Sequence, residues 1–515
     1  MRQKIKVHEK ALAHLSRGLY RSPASALREL ASNAWDANAS VVRITTNFPN
    51  FFQLSVEDDG DGFTSEQFEE LMGGGIGNSG KRTDGKPLRD DRQVIGRLGI
   101  GMLGIAQICG AFVITSTTID GKGFRARVHL YDLLKQRLDD NDPSVIQSVT
   151  PDVKEVDVGE YEFLPFERSV VKKGTHILAD DLHPTFVSAF QESLKAPKYR
   201  DPPLSWDRAV KIAKKVHSLQ ELGDYWRLLW ELSVSCPIPY LSGQALPEGL
   251  AKREQERLLS NNFAVDVDGI RLAKPVSLRG NPAGYTTRLI ATTSETVYGK
   301  NLRFHGYILV QEGKQIRPDE LRGILIRIKD VAIGYYDGTM LDYKYNEGPR
   351  SRWVTGEIFV EEGLEDALNV DRDSFNRFHP EFRSIQKYIH GLLHSGVFPE
   401  VYQEIDQRSK ERTKEREKAR RSDLKEVIAR SIATPVQVAF RSGARHTEEP
   451  EVLIEETARA VRVVVPQPES LKTKKTNQQL AASVMTIFEV AMRERSREKQ
   501  REAFKKLLLD LLARW

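Results

Sequence analysis

Between Leu27 and Ser40 the polar and apolar positions repeat with a helical period. Leu27, Leu30, Ala31, Ala34 and Ala37 fall to one side, while Glu29, Asn33 and Asp36 fall to the other. At about 100° per residue, spacings of i, i+4 and i+7 confine the three polar groups to a sector of roughly 60°. The pattern predicts a helix with small apolar residues on one face and a carboxylate, an amide and a second carboxylate on the other. A surface helix with a solvated polar stripe has the same pattern. The rest of the chain must separate the two readings.

Beyond this helix the period changes to two. The stretches "SVVRITTNF" and "FFQLSVED" alternate β-branched and aromatic residues with polar ones and predict strands. "SEQFEELMG" predicts a helix that starts at serine. A glycine-rich, polar stretch runs from Gly73 to Arg97, then a short helix through Gln107, then strands at "AFVITSTTI" and "GTHILADDL". The connections are too short for repeated crossover helices, so the pattern is α+β with mostly antiparallel strands. Residues near 190–260 are rich in Trp, Leu and charge and read as helical. Strands return in "FAVDVDGIRLA", "RFHGYILVQ", "RGILIRIKDVAIGYY" and "TGEIFVEEGL", and a helix around "SIQKYIHGLLHSG" closes that block.

The domains this predicts are 1–190, with a lid at about 73–97, a helical connecting segment at 191–262 and a second α/β domain at 263–400. A basic helix at 401–431, a Pro-, Thr- and Val-containing linker at 432–476 and an amphipathic helix at 477–515, suited to dimerisation, complete the chain. No internal repeat is present.

Composition narrows the classes. With 515 residues, 40% hydrophobic and 29% charged, the chain can build roughly two to four domains with real cores. Cys109 and Cys236 are too few and too far apart for a disulfide framework or a zinc site. The opening "MRQKIKVHEKALAHL" lacks the apolar run of a signal peptide, and no apolar run approaches a membrane span. A cytoplasmic setting is expected, without a membrane partner. From Arg408 to Lys425 there are nine Lys or Arg against four Asp or Glu, a surplus that equals the net charge of +5 for the whole chain. Such an arm can contact nucleic acid or acidic proteins, or simply be a solvated helix.

Three stretches suggest anion chemistry. "GIGNSGKR", Gly75 to Arg82, has the Gly and Lys spacing of a P-loop. Arg82 stands where Ser or Thr would ligate Mg²⁺, however, and a helix rather than a buried strand precedes it. "GIGMLG", Gly99 to Gly104, fits a dinucleotide fingerprint, but the polar "RDDRQVIGR" before it is no first strand of such a unit. Glycines immediately before a helix can still bring backbone N–H groups against a phosphate, or form a tight turn. "VEDDGDGF", residues 56–63, lacks the closing Glu of a calcium loop. An Asp at that strand end can instead accept a hydrogen bond from the amine of adenine.

Taken in order, "ELASNAWDANA", "DDGDGF", "GRLGIGMLG" and "KGTHI" resemble the four motifs of the GHKL ATPases, the superfamily of gyrase B, 90-kDa heat-shock chaperones, histidine kinases and MutL. The resemblance covers about residues 10–185, and "LYRSPASALREL" is similar to the lead-in of prokaryotic and microrchidia-type members. It implies a Bergerat-type ATP-binding sandwich, a mixed or antiparallel sheet with helices on one face, and the cofactors ATP and Mg²⁺. By that resemblance Glu29 would orient and deprotonate the attacking water, and Asn33 would ligate the Mg²⁺ on the phosphates. Asp58 would accept from the adenine amine, supported by Thr175 or a bridging water, with Gly60 and Gly62 admitting the base. Gly96, Gly99, Ile100 and Gly101 would sit against the phosphates, and Asp36 would shape the pocket floor. Lys81, in the lid, would be either a phosphate contact or a solvated lysine. Asp59 departs from the Asn often found at its position.

"RGILIRIKDVAIG" with "VEEGLEDALNVDRDSF" is similar to the transducer-like middle domain of the 90-kDa chaperones. This resemblance implies that Arg372 is an arginine finger for phosphoryl transfer; a salt bridge within its acidic surroundings is the alternative. The function expected is ATP hydrolysis driving a clamp or chaperone-like cycle, in a homodimer acting on a client protein or a defence or repair partner. The alternatives are a DNA-associated clamp of MutL or microrchidia type, contacting nucleic acid through 408–425, and a nucleotide-gated scaffold with little hydrolysis. A sensor histidine kinase fits poorly, because no helical hairpin can form around His8 and His14.

Overall fold

Three sheets organise the computed structural model. It describes residues 2–8, 22–76, 92, 95, 101–130, 155–167, 172–195, 205–213, 215–241, 256, 258–260, 262–274, 285–311, 315–345, 347–369, 373–431, 436–442, 453–457, 460–467 and 499. The chain divides into two units, Met1–Tyr402 and Gln403–Trp515. The α+β expectation holds.

The first sheet has ten strands: β1 (Arg2–His8), β2 (Val41–Thr45), β3 (Leu54–Asp58), β4 (Gly73–Ile76), β5 (Cys109–Thr117), β6 (Gly123–Leu130), β7 (Glu155–Phe166), β8 (Gly174–Leu182), β9 (Ala264–Val267) and β10 (Ile270–Arg271). Their spatial order is β10-β9-β2-β3-β8-β5-β6-β7-β1-β4. In β2, Val42 and Ile44 are buried while Arg43 and Thr45 are exposed, the alternation of a half-buried strand. Because β8 lies between β3 and β5, residues distant in sequence meet at one end of the sheet.

Helix α1 (Pro23–Asp36) starts at the N-cap Ser22, whose hydroxyl accepts from Ser25 N, and Pro23 follows in the first turn. It packs against α5 (Asp224–Ser235), and α2 (Ser65–Met72), α3 (Pro184–Ser193) and α4 (Trp206–Ala213) complete the helices of this region. Aromatic contacts bind these layers: Trp35 meets Phe263 edge-on at 5.2 Å, Trp206 meets Trp230 at 4.9 Å, and Phe68 stacks on Phe124 at 4.4 Å.

The sequence groups "FAVDVDGIRLA" with the second domain, but β9 runs parallel to β2 and extends the first sheet. The Asp268–Gly269 turn makes β9 and β10 a hairpin, both residues having positive φ. Asp268 accepts from Thr46 N at 2.7 Å and from the Tyr225 hydroxyl at 2.9 Å, fixing the hairpin to the sheet and to α5.

The second sheet is β11 (Tyr285–Val297), β12 (Lys300–Gln311), β13 (Gly323–Ile328), β14 (Val331–Asp337) and β15 (Val354–Glu362), in the order β11-β12-β15-β13-β14. All six residues of β13 are buried, as in a strand covered on both faces. Leu325, Val331 and Ala332 join the same core cluster as α1. Helix α6 (Pro380–Leu392) leads through a π-helical turn, Leu393–Val397, into α7 (Phe398–Ser431), which carries the basic run. Lys410, Arg412, Lys414, Arg416 and Lys418 on it are exposed.

The stretch read as a linker at 432–476 holds three strands instead: β16 (Val436–Ser442), β17 (Leu453–Thr457) and β18 (Ala460–Gln467), in the order β16-β18-β17. The Val residues of β16 and β18 and the Leu-Ile pair of β17 suit pairing, which the intervening Pro and Thr obscure in the sequence. The helix expected at 477–515 lies outside the described residues, except for Lys499.

Candidate functional site

Helix α1 is no solvated surface element. Of its residues only Pro23, Asn33 and Asp36 are half-buried, and the rest are buried. The polar stripe is therefore neither a solvated face nor a sealed one: Glu29 is buried, while Asn33 and Asp36 keep partial exposure, and a buried carboxylate needs a partner or a ligand.

Glu29 is 5% exposed and shares an ion pair with its neighbour, Arg28 Nη2 donating to Oε1 at 3.2 Å. Arg28 Nη1 also donates to Asp373 Oδ1, and Ser25 Oγ donates to Asp373 Oδ2 at 3.0 Å. Burial alone would lower the affinity of Arg28 for its proton. The Asp373 and Glu29 carboxylates outweigh that and hold the guanidinium above its ordinary value. The residue expected to act as a base thus lies in a three-member charge cluster whose far member comes from beyond the second sheet.

At the other end of α1, Asp36 Oδ1 accepts from Ile95 N at 2.7 Å. Arg92 donates to Ala39 O at 2.7 Å and lies 4.6 Å above the Trp35 ring. Asp36 and Trp35 thereby fasten the segment just before Gly96 to the end of α1. Asp36 holds backbone here, where the sequence suggested it shapes the floor of a pocket. Gly101 opens the 3₁₀ turn Gly101–Gln107, where a helix was expected. Asn33 lies one turn after Glu29 on the same face. Lys81, Gly96, Gly99, Ile100 and Arg372 lie outside the described residues.

Strand register builds a second group. Asp58 at the end of β3 pairs with Thr175 on β8, and Thr175 pairs with Ser116 on β5. Direct antiparallel partners share a face, so the three side chains form a row. The Asp58 carboxylate accepts from Gly60 N at 2.8 Å and from Thr175 N, yet burial dominates and pushes its pKa up to about 6. Gly174, with φ of 134°, could carry no side chain, because a Cβ would lie 2.1 Å from Asp58 O. Gly62, with φ of 66°, approaches the Thr117 carbonyl, and Gly60 approaches the Ala37 carbonyl. The room these glycines leave is occupied by the protein's own backbone.

Asp61 N donates to Ala37 O at 2.6 Å, and the Asp61 carboxylate accepts from Asn38 and Lys173. The loop after β3 is thus tied to the end of α1. Asp59 Oδ1 accepts from Ser40 N and Val41 N, which makes it a cap for the turn into β2. A cleft of about 250 Å³ opens at the start of α1, lined by Ser22, Phe190, Arg227 and Glu231 among others, and the Asp58 row does not line it.

Arg28, Asp373 and Ser116 escape the sequence reading. Arg28 reads as one more polar position, its partner Asp373 is 345 residues away, and Ser116 sits in an ordinary strand pattern. Only register and packing bring them in.

Residues 20–156 match the model of the family described as Histidine kinase-, DNA gyrase B-, and HSP90-like ATPase. The matched segment contains Glu29, Asn33, Asp36, Asp58 and Ser116, while Thr175 and Asp373 lie beyond it. The match supports a GHKL-type ATPase domain over this part of the chain, with ATP binding and hydrolysis in general. No curated protein matches the chain.

Proposed function

We propose that the chain hydrolyses ATP with Glu29 as general base and Asn33 as the protein ligand of a nucleotide-bound Mg²⁺, and that turnover drives a clamp-like cycle. The observation that carries this reading is the burial of Glu29 on α1, one turn before the half-buried Asn33 on the same face. A buried carboxylate followed one turn later by a half-buried amide is not the pattern of a solvated helix face.

Magnesium takes six hard oxygen ligands and usually brings several from water and phosphates, so a single amide oxygen suits it. Among the described residues, no group of three or more His, Cys, Asp or Glu could hold an ion by itself. A metal arriving with the phosphates fits that donor set, and it would neutralise charge on the transferring group. Glu29 takes a proton from water as the water oxygen bonds to the γ-phosphorus and the bond to the β-phosphate oxygen breaks, leaving ADP and phosphate. Arg28, pulled by Asp373, keeps its charge beside the base throughout. Asp58 accepts from the adenine amine, and Asp36 fixes the backbone that leads to the glycines at 96–101. Arg372 is assigned to the developing γ-phosphate charge, and a homodimer is the assembly in which closure would occur.

Glu29→Ala is expected to lower turnover by about 10²-fold or more while ATP still binds. Steady-state phosphate release and equilibrium nucleotide binding measure the two separately. Wild-type turnover in that variant would refute the mechanism.

A further inference from the structure

The row Asp58–Thr175–Ser116 carries a directional feature beyond nucleotide binding as such. Ser116 is fully buried, and its Oγ accepts from Phe63 N at 3.0 Å. With a lone pair so occupied, the serine has one proton to give. Two acceptors are near: Thr175 Oγ1 at 3.1 Å and the Gly174 carbonyl at 3.5 Å. The shorter contact is the better hydrogen bond. Among the described residues, Thr175 Oγ1 has no other hydrogen-bond partner than Ser116 Oγ.

From this chain, Phe63 N–H to Ser116 Oγ–H to Thr175 Oγ1, we infer that Ser116 is a positioning residue that turns the Thr175 hydroxyl into a donor toward the bound base and so selects adenine. The inference rests on the ATP reading above. If Ser116 gives its proton to Thr175 Oγ1, the Thr175 proton must point elsewhere. Asp58 lies beside it on the same face and presents only acceptors when ionised. The pocket then offers an acceptor next to a donor. Adenine carries the complement, an amine hydrogen at C6 and an acceptor at N1. Hypoxanthine and guanine carry the reverse, an oxygen at C6 and a hydrogen on N1. Each would set oxygen against carboxylate and hydrogen against hydrogen. A site built to hydrogen-bond one edge rejects the wrong edge strongly, because its buried groups are left unpaired. Without Ser116, the Thr175 hydroxyl rotates freely and can accept from N1–H as readily as donate.

Equilibrium binding of ATP, 1-deaza-ATP and inosine triphosphate to the full chain tests this directly. The wild type should bind 1-deaza-ATP, which keeps the amine but lacks N1, about 10-fold more weakly than ATP, and inosine triphosphate more weakly still. In Ser116→Ala the gap between ATP and 1-deaza-ATP should close to about 2-fold and discrimination against inosine triphosphate should fall about 10-fold, with Ser116→Thr restoring both. A general loss of packing would weaken all three ligands together and leave their ratios unchanged. Equal binding of ATP and 1-deaza-ATP by the wild type overturns the inference, even if Ser116→Ala fails to fold. So do unchanged ratios in a folded Ser116→Ala. Failure of the wild type to bind ATP at all would instead remove the ATP reading beneath it.

Discussion

Among the described residues of the Met1–Tyr402 unit, two buried arginines pair with buried carboxylates, Arg327 with one and Arg28 with two, and they differ in how those partners are filled. In the second sheet, Glu357 is fully buried and accepts from Arg327 Nε and from the hydroxyls of Tyr240, Tyr307 and Tyr336 at 2.8–3.0 Å. Arg327 also donates to Val234 O at the end of α5, at 2.7 Å. Burial would push the Glu357 carboxyl up, but the arginine and its companions outweigh it and hold it below the usual range. Four donors converge on one carboxylate, and that pair has a single arrangement. On α1, by contrast, Arg28 is divided between Glu29 and Asp373. A cation shared by two carboxylates can lean toward either without being left unpaired. The first pair is a joint between strands and α5. The second is a joint that includes the proposed base.

The largest effect expected on this contrast comes from Arg327→Met. It strands a buried carboxylate and should cost about 3–5 kcal/mol of stability, read from the midpoint of chemical denaturation. If α1 matters only for chemistry and the second sheet only for stability, ATP affinity of the folded protein should not change. Asp373→Asn should cost less, about 1–3 kcal/mol, because the amide oxygen still accepts from Arg28. Its distinctive effect is on turnover: Arg28 then pairs with Glu29 alone, which makes that carboxylate a poorer base. Phosphate release should slow while ATP affinity holds. Unchanged turnover would make the two pairs equivalent and end the comparison.

Asp58 sharpens the contrast as a half-buried carboxylate held by backbone N–H groups without an arginine. With a folded pKa of about 6 against an ordinary value of 3.8, its ionised form is the penalised one. That penalty is complete above pH 6, shrinks as pH falls through 6, and is gone below 3.8, where both folded and unfolded states hold the proton. On the proposed reading ATP binding requires the carboxylate, so affinity should fall toward about tenfold per pH unit below 6, about 1.4 kcal/mol each, just as this group's burden on folding is relieved. Nucleotide titrations and thermal melts between about pH 5 and 8, the range flanking about 6, should move in opposite directions. A pH-independent affinity would remove Asp58 from base recognition.

Local pattern made part of this legible. The α1 stripe, the strand ends at Asp58 and Thr175 and the basic helix all follow from period and turn chemistry. The Asp-Gly turn of the β9–β10 hairpin is equally readable, but its attachment to β2 is not, because no local signal says which edge a strand will join. Arg28 illustrates the same limit for charge. Its type and spacing suit a solvated face, and only the arrival of Asp373 makes it a buried partner. Ser116 is hidden for a subtler reason. A serine in an alternating strand is unremarkable until register sets it beside Thr175. The linker at 432–476 failed differently: Pro and Thr suggested open chain, while two Val-containing runs and the Leu-Ile run between them had enough pairing preference to form a small sheet.

The placement of β9 and β10 has a consequence for how the protein is made. The sheet that carries Asp58 and Thr175 reaches its last two strands only with Ile270 and Arg271, although the family match ends at residue 156. A ribosome adding about 5–20 residues per second must therefore synthesise all of α3, α4 and α5 before β2 can acquire its outer neighbour. Until then β2 is an edge strand with free backbone groups, the kind of surface on which nascent chains aggregate. Completion of the nucleotide-binding layer is a late event in synthesis, timed by a hairpin that follows the helices rather than by the segment that holds its motifs.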